Sequence, residues 1–93
     1  MSAQIPRPYR STPVFDQDTL PAALRRDHST KAGVWGVIRV IEGRLRLTFI
    51  DPFAEHVLEA GDAAVSQPQQ AHFVTPDGAM KMQVDFYDRP PGG

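Results

Sequence analysis

Residues 43–51, "GRLRLTFID", set Leu45, Leu47 and Phe49 alternately with Arg44, Arg46 and Thr48. A period of two sends successive side chains to opposite faces of a strand, so this stretch must cover a core on one side only. Just before it, "VWGVIRVI" (34–41) is β-branched and almost continuously apolar, the composition of a strand buried on both faces. Glu42-Gly43 between the two reads as a hairpin turn. A second alternating stretch, "AMKMQVDFY" (79–87), sets Met80, Met82, Val84 and Phe86 against Lys81, Gln83, Asp85 and Tyr87. It follows Pro76-Asp77-Gly78, a strong turn signal.

The rest of the chain repeats this grammar. Asp51-Pro52 ends the second strand, "EHVLEA" (55–60) makes a short third, and Gly61-Asp62 turns again. "AAVSQ" (63–67) is a further strand, and a Pro/Gln loop then leads into "AHFVT" (71–75). "DTLPAAL" (18–24) offers Asp18 as a helix cap, but Pro21 stops a long helix, so a short turn or a strand entry is expected. Many short strands separated by Gly/Pro turns predict an all-β domain, a β-sandwich closing into a small barrel.

Ninety-three residues are enough for one domain. Prolines at 6, 8 and 13 make residues 1–13 an extended arm; the folded domain is expected over 14–88, with a loose tail at 89–93. With 10 Lys and Arg against 11 Asp and Glu, the net charge of -1 gives no reason to expect nucleic acid or an anionic membrane as partner. No cysteine is present, so any metal must be held by His, carboxylate or water. The N-terminus lacks the apolar core of a signal peptide, and a cytoplasmic protein is the expectation. A domain this short gains stability by association, so a homodimer is expected, with the Pro-rich arm lying across a neighbour.

Three histidines carry most of the chemical interest: His28, His56 and His72. His56, between Glu55 and Val57, reads as a surface residue. His72 stands eleven residues after Gly61, with a proline-bearing loop between. A tight turn, a stiffened loop and then an imidazole at the head of a strand form a pre-set ligand that loses little entropy on binding. His28 opens "HSTKAGVWG" (28–36). If His28 and His72 converge, they are candidate ligands for a divalent metal, with Asp85 or water completing the set. Zinc, iron, nickel and manganese all accept imidazole, so the metal cannot be identified from the ligands. Asp85 reaches such a site only if the Met80–Phe86 stripe packs an outer face. Lys31 and Arg39 are candidates for an anion or other small-molecule ligand, and Trp35 for pocket wall or core.

The Gly61–His72 spacing resembles the second motif of the cupins, small metal-binding β-barrels. The motif's proline position falls on Gln67, with Pro68 one later; its inner glycine falls on Gln69 and its downstream asparagine on Pro76. The first motif is weaker. Gly43 fits its last position, but Gly36 stands where the glutamate belongs and the histidine pair is reduced to His28. A full metal site on the usual cupin plan therefore cannot be built. Across residues 12–88 the chain resembles one branch, the TehB/YeaR-like small cupins related to tellurite resistance. The stretches that carry this resemblance are "TPVFDQDTLPAALRRDHSTKAGVWG", "VIEGRLRL", "VLEAGD", "QPQQAHFV" and "VDFYD".

That resemblance implies a cupin-type double-stranded β-helix. Some family members carry this domain ahead of a methyltransferase domain. The present chain has no room for a second domain and no Gly-rich S-adenosylmethionine loop, so the appended module alone is implied. Three roles follow: a metal- or ligand-binding module linked to oxyanion stress, a metal-dependent enzyme of dioxygenase or isomerase type, or a metal-free interaction module.

Overall fold

The computed structural model of the chain describes residues 7–91. Six strands form one antiparallel sheet: β1 (Arg10–Ser11), β2 (Phe15–Asp16), β3 (Trp35–Ile50), β4 (Phe53–Glu59), β5 (Ala63–Ser66) and β6 (His72–Tyr87). Among the described residues the one helical element is a 3-10 turn, Ala22–Arg25; Pro21 precedes it with φ -58°, and it ends where Arg26 turns extended (φ -134°, ψ 171°).

Two of these strands run sixteen residues each and pair with one another along nearly their whole length. The expected hairpins at Glu42-Gly43 and Pro76-Asp77-Gly78 are therefore absent: both lie inside continuous strands. They form facing irregularities. The register shifts once between Val40 and Glu42 and again between Gly43 and Leu45, where β6 carries extra residues opposite Arg44. Gly43 and Gly78 take φ of +69° and +74°, and each bends its strand instead of reversing it. Positive φ is what a tight turn and a β-bulge both demand, which is why the two look alike in sequence.

The bulges also move the buried side of β3 from one parity to the other. Gly36, Ile38 and Val40 are buried before the bend, and Leu45, Leu47 and Phe49 after it. One extra residue accounts for the change. Residues 34–41 are thus covered on one face and not two: Ile41 is 40% exposed, and Val37 and Arg39 are half-buried. On β6, Val74, Met80, Met82 and Val84 complete the same core, together with Leu20 and Leu58. Because residues from both halves of the bend join one cluster, the sheet folds over onto itself. At about 1.5–3 kcal/mol for each large apolar side chain removed from water, this cluster is the main source of stability.

Outer strands flank the bent pair. β5 lies against the first half of β3 and β4 against the second. β1 and β2 run along β6, and Tyr9 and Thr12 donate backbone hydrogen bonds to Phe86 and Val84. The end of the Pro-rich segment is accordingly tied to its own sheet. Residues 1–6 of the expected arm, and residues 92–93 of the expected tail, lie outside the described residues. No helix among the described residues is long and apolar enough to cross a membrane.

Gly43 has the least freedom to change. A Cβ there would stand 2.1 Å from the Ala79 carbonyl oxygen and 2.9 Å from the Met80 Cα, both backbone atoms. Gly78 takes a similar φ in open space. Gly43→Ala is expected to destabilise the fold by about 3 kcal/mol or more, and Gly78→Ala by only about 1 kcal/mol, the bare cost of a left-handed residue. Urea unfolding of the two variants beside the parent measures the difference.

Candidate functional site

The segment between the 3-10 turn and β3 crosses the open end of the folded sheet. His28 and His72 meet there as a backbone bridge: the His28 amide donates to the His72 carbonyl at 3.0 Å, and the His72 amide to the His28 carbonyl at 2.9 Å. Their rings consequently lie side by side, with centroids 4.2 Å apart. Further along, the Thr30 hydroxyl donates to the Val34 carbonyl at 2.7 Å, and the Gln69 amide to the Thr30 carbonyl at 3.1 Å. Gln69, which stands at the position of the cupin motif's inner glycine, holds φ +62°, in the left-handed region that favours glycine.

Both imidazoles are fixed in the same sense. His28 Nδ1 lies 3.0 Å from the Arg26 carbonyl, and His72 Nδ1 lies 2.7 Å from the Gln70 carbonyl. A carbonyl oxygen can only accept, so each Nδ1 carries a proton, and Nε2 is the ring nitrogen left over for an outside partner. Neither Nε2 has a hydrogen-bond partner among the described residues. Burial pushes the His72 pKa below its ordinary value; the Gln70 carbonyl opposes this and the neighbouring His28 adds to it. His72 is thus held neutral, the form in which its Nε2 accepts a proton donor or a metal.

The two rings sit on a cavity of about 320 Å³. Ile38, Val74, Val84 and Phe86 from the inner sheet face form its apolar wall, and Ser29, Thr30, Lys31, Tyr9 and Arg10 stand around its polar side. Arg10 is placed by β1 and lies over the Phe86 ring, 5.2 Å from its centroid. Ser66, on β5, approaches so closely that a Cβ on Gly36 would meet its hydroxyl at 2.9 Å.

Of the residues singled out in the sequence, His28, His72 and Lys31 come together at this cavity. Trp35, Arg39 and Asp85 do not line it. The Met80–Phe86 stripe faces inward, which sends Asp85 to the outer face of β6. There it is covered and not solvated. Arg39 Nε donates to Asp85 Oδ2 at 2.6 Å, and the Ser11 hydroxyl to Oδ1 at 2.7 Å. Arg39 also donates to Gln83 Oε1 at 2.6 Å, and Gln83 Nε2 to the Thr12 carbonyl at 2.7 Å. This outer network clasps the end of the N-terminal segment to β6. Trp35 opens β3 on the same outer face, paired with Tyr87. His56 is exposed on β4, its ring edge-on to Phe49.

Among the described residues no three His, Cys, Asp or Glu side chains are grouped so as to hold a metal ion. The donor set does not fit a metal centre saturated by protein: two imidazoles are on offer and no carboxylate joins them. Sequence reasoning missed Arg10, Tyr9 and the apolar wall. The wall was implicit in the alternation that puts Val84 and Phe86 on one face. Arg10 had no local signal, since only its pairing with Phe86 brings it to the cavity.

The profile of the TehB-like domain matches residues 10–84. The chain belongs to the TehB-like family. The probable S-adenosyl-L-methionine-dependent methyltransferase TehB of Haemophilus influenzae (strain Rd) is 36% identical over 53 residues, 53% of this chain and 18% of that protein. The crystal structure of Haemophilus influenzae TehB superposes with TM-score 0.79 and 27% identity, over 89% of this chain and 31% of that one. The chain therefore spans less than a third of these TehB relatives. A solved protein of Escherichia coli K12 is alike end to end, with TM-score 0.80 and 26% identity over 97% of both chains. A cupin-2 domain protein of Shewanella frigidimarina, 19% identical with TM-score 0.58, shares the fold. The TehB-like chain is thus an all-β domain of cupin type.

The ion pair on the outer face gives a pH signature. Burial alone would raise the Asp85 pKa, but the hydrogen bonds from Arg39 and Ser11 and the Arg39 charge outweigh it and hold the carboxyl below its ordinary 3.8. The unfolded chain then binds a proton before the folded one does. The pair's contribution is whole above the unfolded value and is lost as pH falls through the lower folded value. Asp85→Asn is expected to cost about 1–2 kcal/mol at pH 7, discounted for the 43% exposed Arg39 side chain. It should also make the acid decline of stability shallower, though not flat, because Asp16 is likewise lowered by the Asp18 and Thr19 amides. Thermal melts of both proteins between pH 7 and pH 2.5 measure this.

Proposed function

We propose that this TehB-like cupin is a small-ligand-binding module whose cavity holds its ligand between an apolar wall and the Nε2 atoms of His28 and His72. One observation carries the reading. Both imidazoles are tied through Nδ1 to backbone carbonyls, so both present a free Nε2 at an open cavity with an apolar wall. Cavities of a few hundred Å³ with few convergent polar groups are the usual form of small-molecule sites. Methylation is not carried over from the relatives, because more than four fifths of the matched methyltransferase has no counterpart in the alignment.

A second reading has its own support. A ring nitrogen bonded to a backbone carbonyl is the outer-shell arrangement of metal-ligating histidines. On this reading the two Nε2 atoms hold a divalent zinc, iron, nickel or manganese ion whose remaining positions fall to water or ligand. Elemental mass spectrometry of the purified, tag-free protein separates the two. Metal well below one equivalent, unchanged in His28→Ala and His72→Ala, is the expected result. Near-stoichiometric metal lost from both folded variants would replace the ligand reading by the metal one.

The domain is further proposed to self-associate. Phe53 and Val57 on β4 are 69% and 58% exposed, and Val65 on β5 is 43% exposed, a large apolar display for so short a chain. Sedimentation equilibrium at micromolar concentration should give a dimer, and Phe53→Ser with Val57→Asp a monomer. A monomeric parent protein would refute this.

A further inference from the structure

The cavity has a charge character of its own. No Asp or Glu is among its lining residues, although the chain carries 11 of them and has a net charge of -1. Two cations do line it, Arg10 and Lys31. Neither forms an ion pair among the described residues, whereas Arg39, Arg44, Arg46, Lys81 and Arg89 each lie within 4 Å of a carboxylate. Two cations on a pocket whose lining holds no acid favour an anionic ligand there, against the sign of the whole molecule.

Three further facts narrow what such a pocket takes. Ile38, Val74, Val84 and Phe86 leave the interior without charge, so a bare, fully hydrated oxyanion would give up water there with nothing to replace it. The 320 Å³ volume corresponds to roughly ten water molecules at about 30 Å³ each, the room for a ligand of about ten non-hydrogen atoms. The two Nε2 lone pairs are acceptors that repel an anionic oxygen and call for a donor, such as a hydroxyl on the ligand body.

We infer that the cavity binds a small amphipathic anion, a carboxylate on a compact apolar body that bears a hydroxyl. Lys31 and Arg10 take the carboxylate, the sheet wall takes the body, and the histidine pair accepts the hydroxyl proton. Arg10 is suited to its part: its guanidinium lies over the Phe86 ring, 5.2 Å from the centroid, beside the apolar wall where the ligand body would rest. This rests on the ligand-binding reading above and assigns it a chemical class.

Isothermal titration calorimetry of the full chain tests it with defined probes: the three hydroxybenzoates, benzoate, benzamide, acetate and tellurite. The expected order is one hydroxybenzoate isomer tightest, benzoate weaker by at least about fivefold for the lost hydrogen bond, and benzamide at least about tenfold weaker than benzoate for the lost charge. Acetate and tellurite should fall below benzoate by at least tenfold. Lys31→Gln and Arg10→Gln should each lower hydroxybenzoate affinity while leaving the melting profile near that of the parent. His28→Ala and His72→Ala should each shrink, and together erase, the ratio by which hydroxybenzoate binds tighter than benzoate.

Each contrary result is decisive. Benzamide binding as well as benzoate would overturn the anion class and leave the pocket reading standing. Tellurite or acetate matching benzoate would remove the apolar body from the recognition. Hydroxybenzoate no tighter than benzoate, or an advantage that survives the folded His28→Ala/His72→Ala double variant, would overturn the role given to the imidazoles. No heat with any probe, together with no shift of the His28 and His72 ring signals in proton NMR, would overturn both the class and the pocket reading.

Discussion

Everything in this domain depends on β3 and β6 bending together without parting. Two sixteen-residue strands cannot enclose a core while straight, and a flat pair would leave one face of its apolar residues in water. Facing bulges at residues 41–44 and 77–79 solve this. They bring Ile38 and Val40 into one cluster with Leu45 and Leu47, and they shift the parity of β3 so that both halves face inward. The bend is tightest where Gly43 passes the Ala79 carbonyl, too close for any side chain. Short outer strands can then cover each half, and the open end of the fold is left for the cavity.

The sequence made the strands legible and their continuity illegible. Alternation at 43–51 and 79–87 was read correctly because a period of two is a local property of the chain. Glu42-Gly43 and Pro76-Asp77-Gly78 were read as reversals because a left-handed glycine serves a bulge as readily as a turn. Only the partner strand distinguishes the two, and that partner lies some forty residues away. The near-continuous apolar run at 34–41 misled for a related reason. Its outer residues are half-covered by neighbours such as β5 and the Arg39–Asp85 cluster, a partial burial that composition reads as complete.

The site divides along the same line between local and distant information. His72 at the head of β6 followed from a turn, a stiff loop and a spacing. That His28 meets it is a tertiary fact, made by two backbone hydrogen bonds across more than forty residues. Asp85 was the open case, and the inward stripe on β6 decides its place. Val84 lines the cavity while its neighbour Asp85 clasps the N-terminal segment on the other face. One strand thus supplies pocket wall on one side and a structural ion pair on the other, and the pleat keeps the two apart.

The histidine bridge has a consequence for how the site's chemistry can be separated from its architecture. The bonds that join His28 to His72 run between main-chain amides and carbonyls, so the segment is held across the open end whatever side chains stand there. The imidazoles contribute a single further bond each, to Arg26 and Gln70. Their Nε2 atoms make no hydrogen bond among the described residues, and burial adds a cost to protonating His72. A domain needing only a clasp at this position could use the backbone alone with any side chain of similar bulk. On the proposed reading, two imidazoles with Nε2 turned to a cavity lined by no acid are there for contact with the ligand.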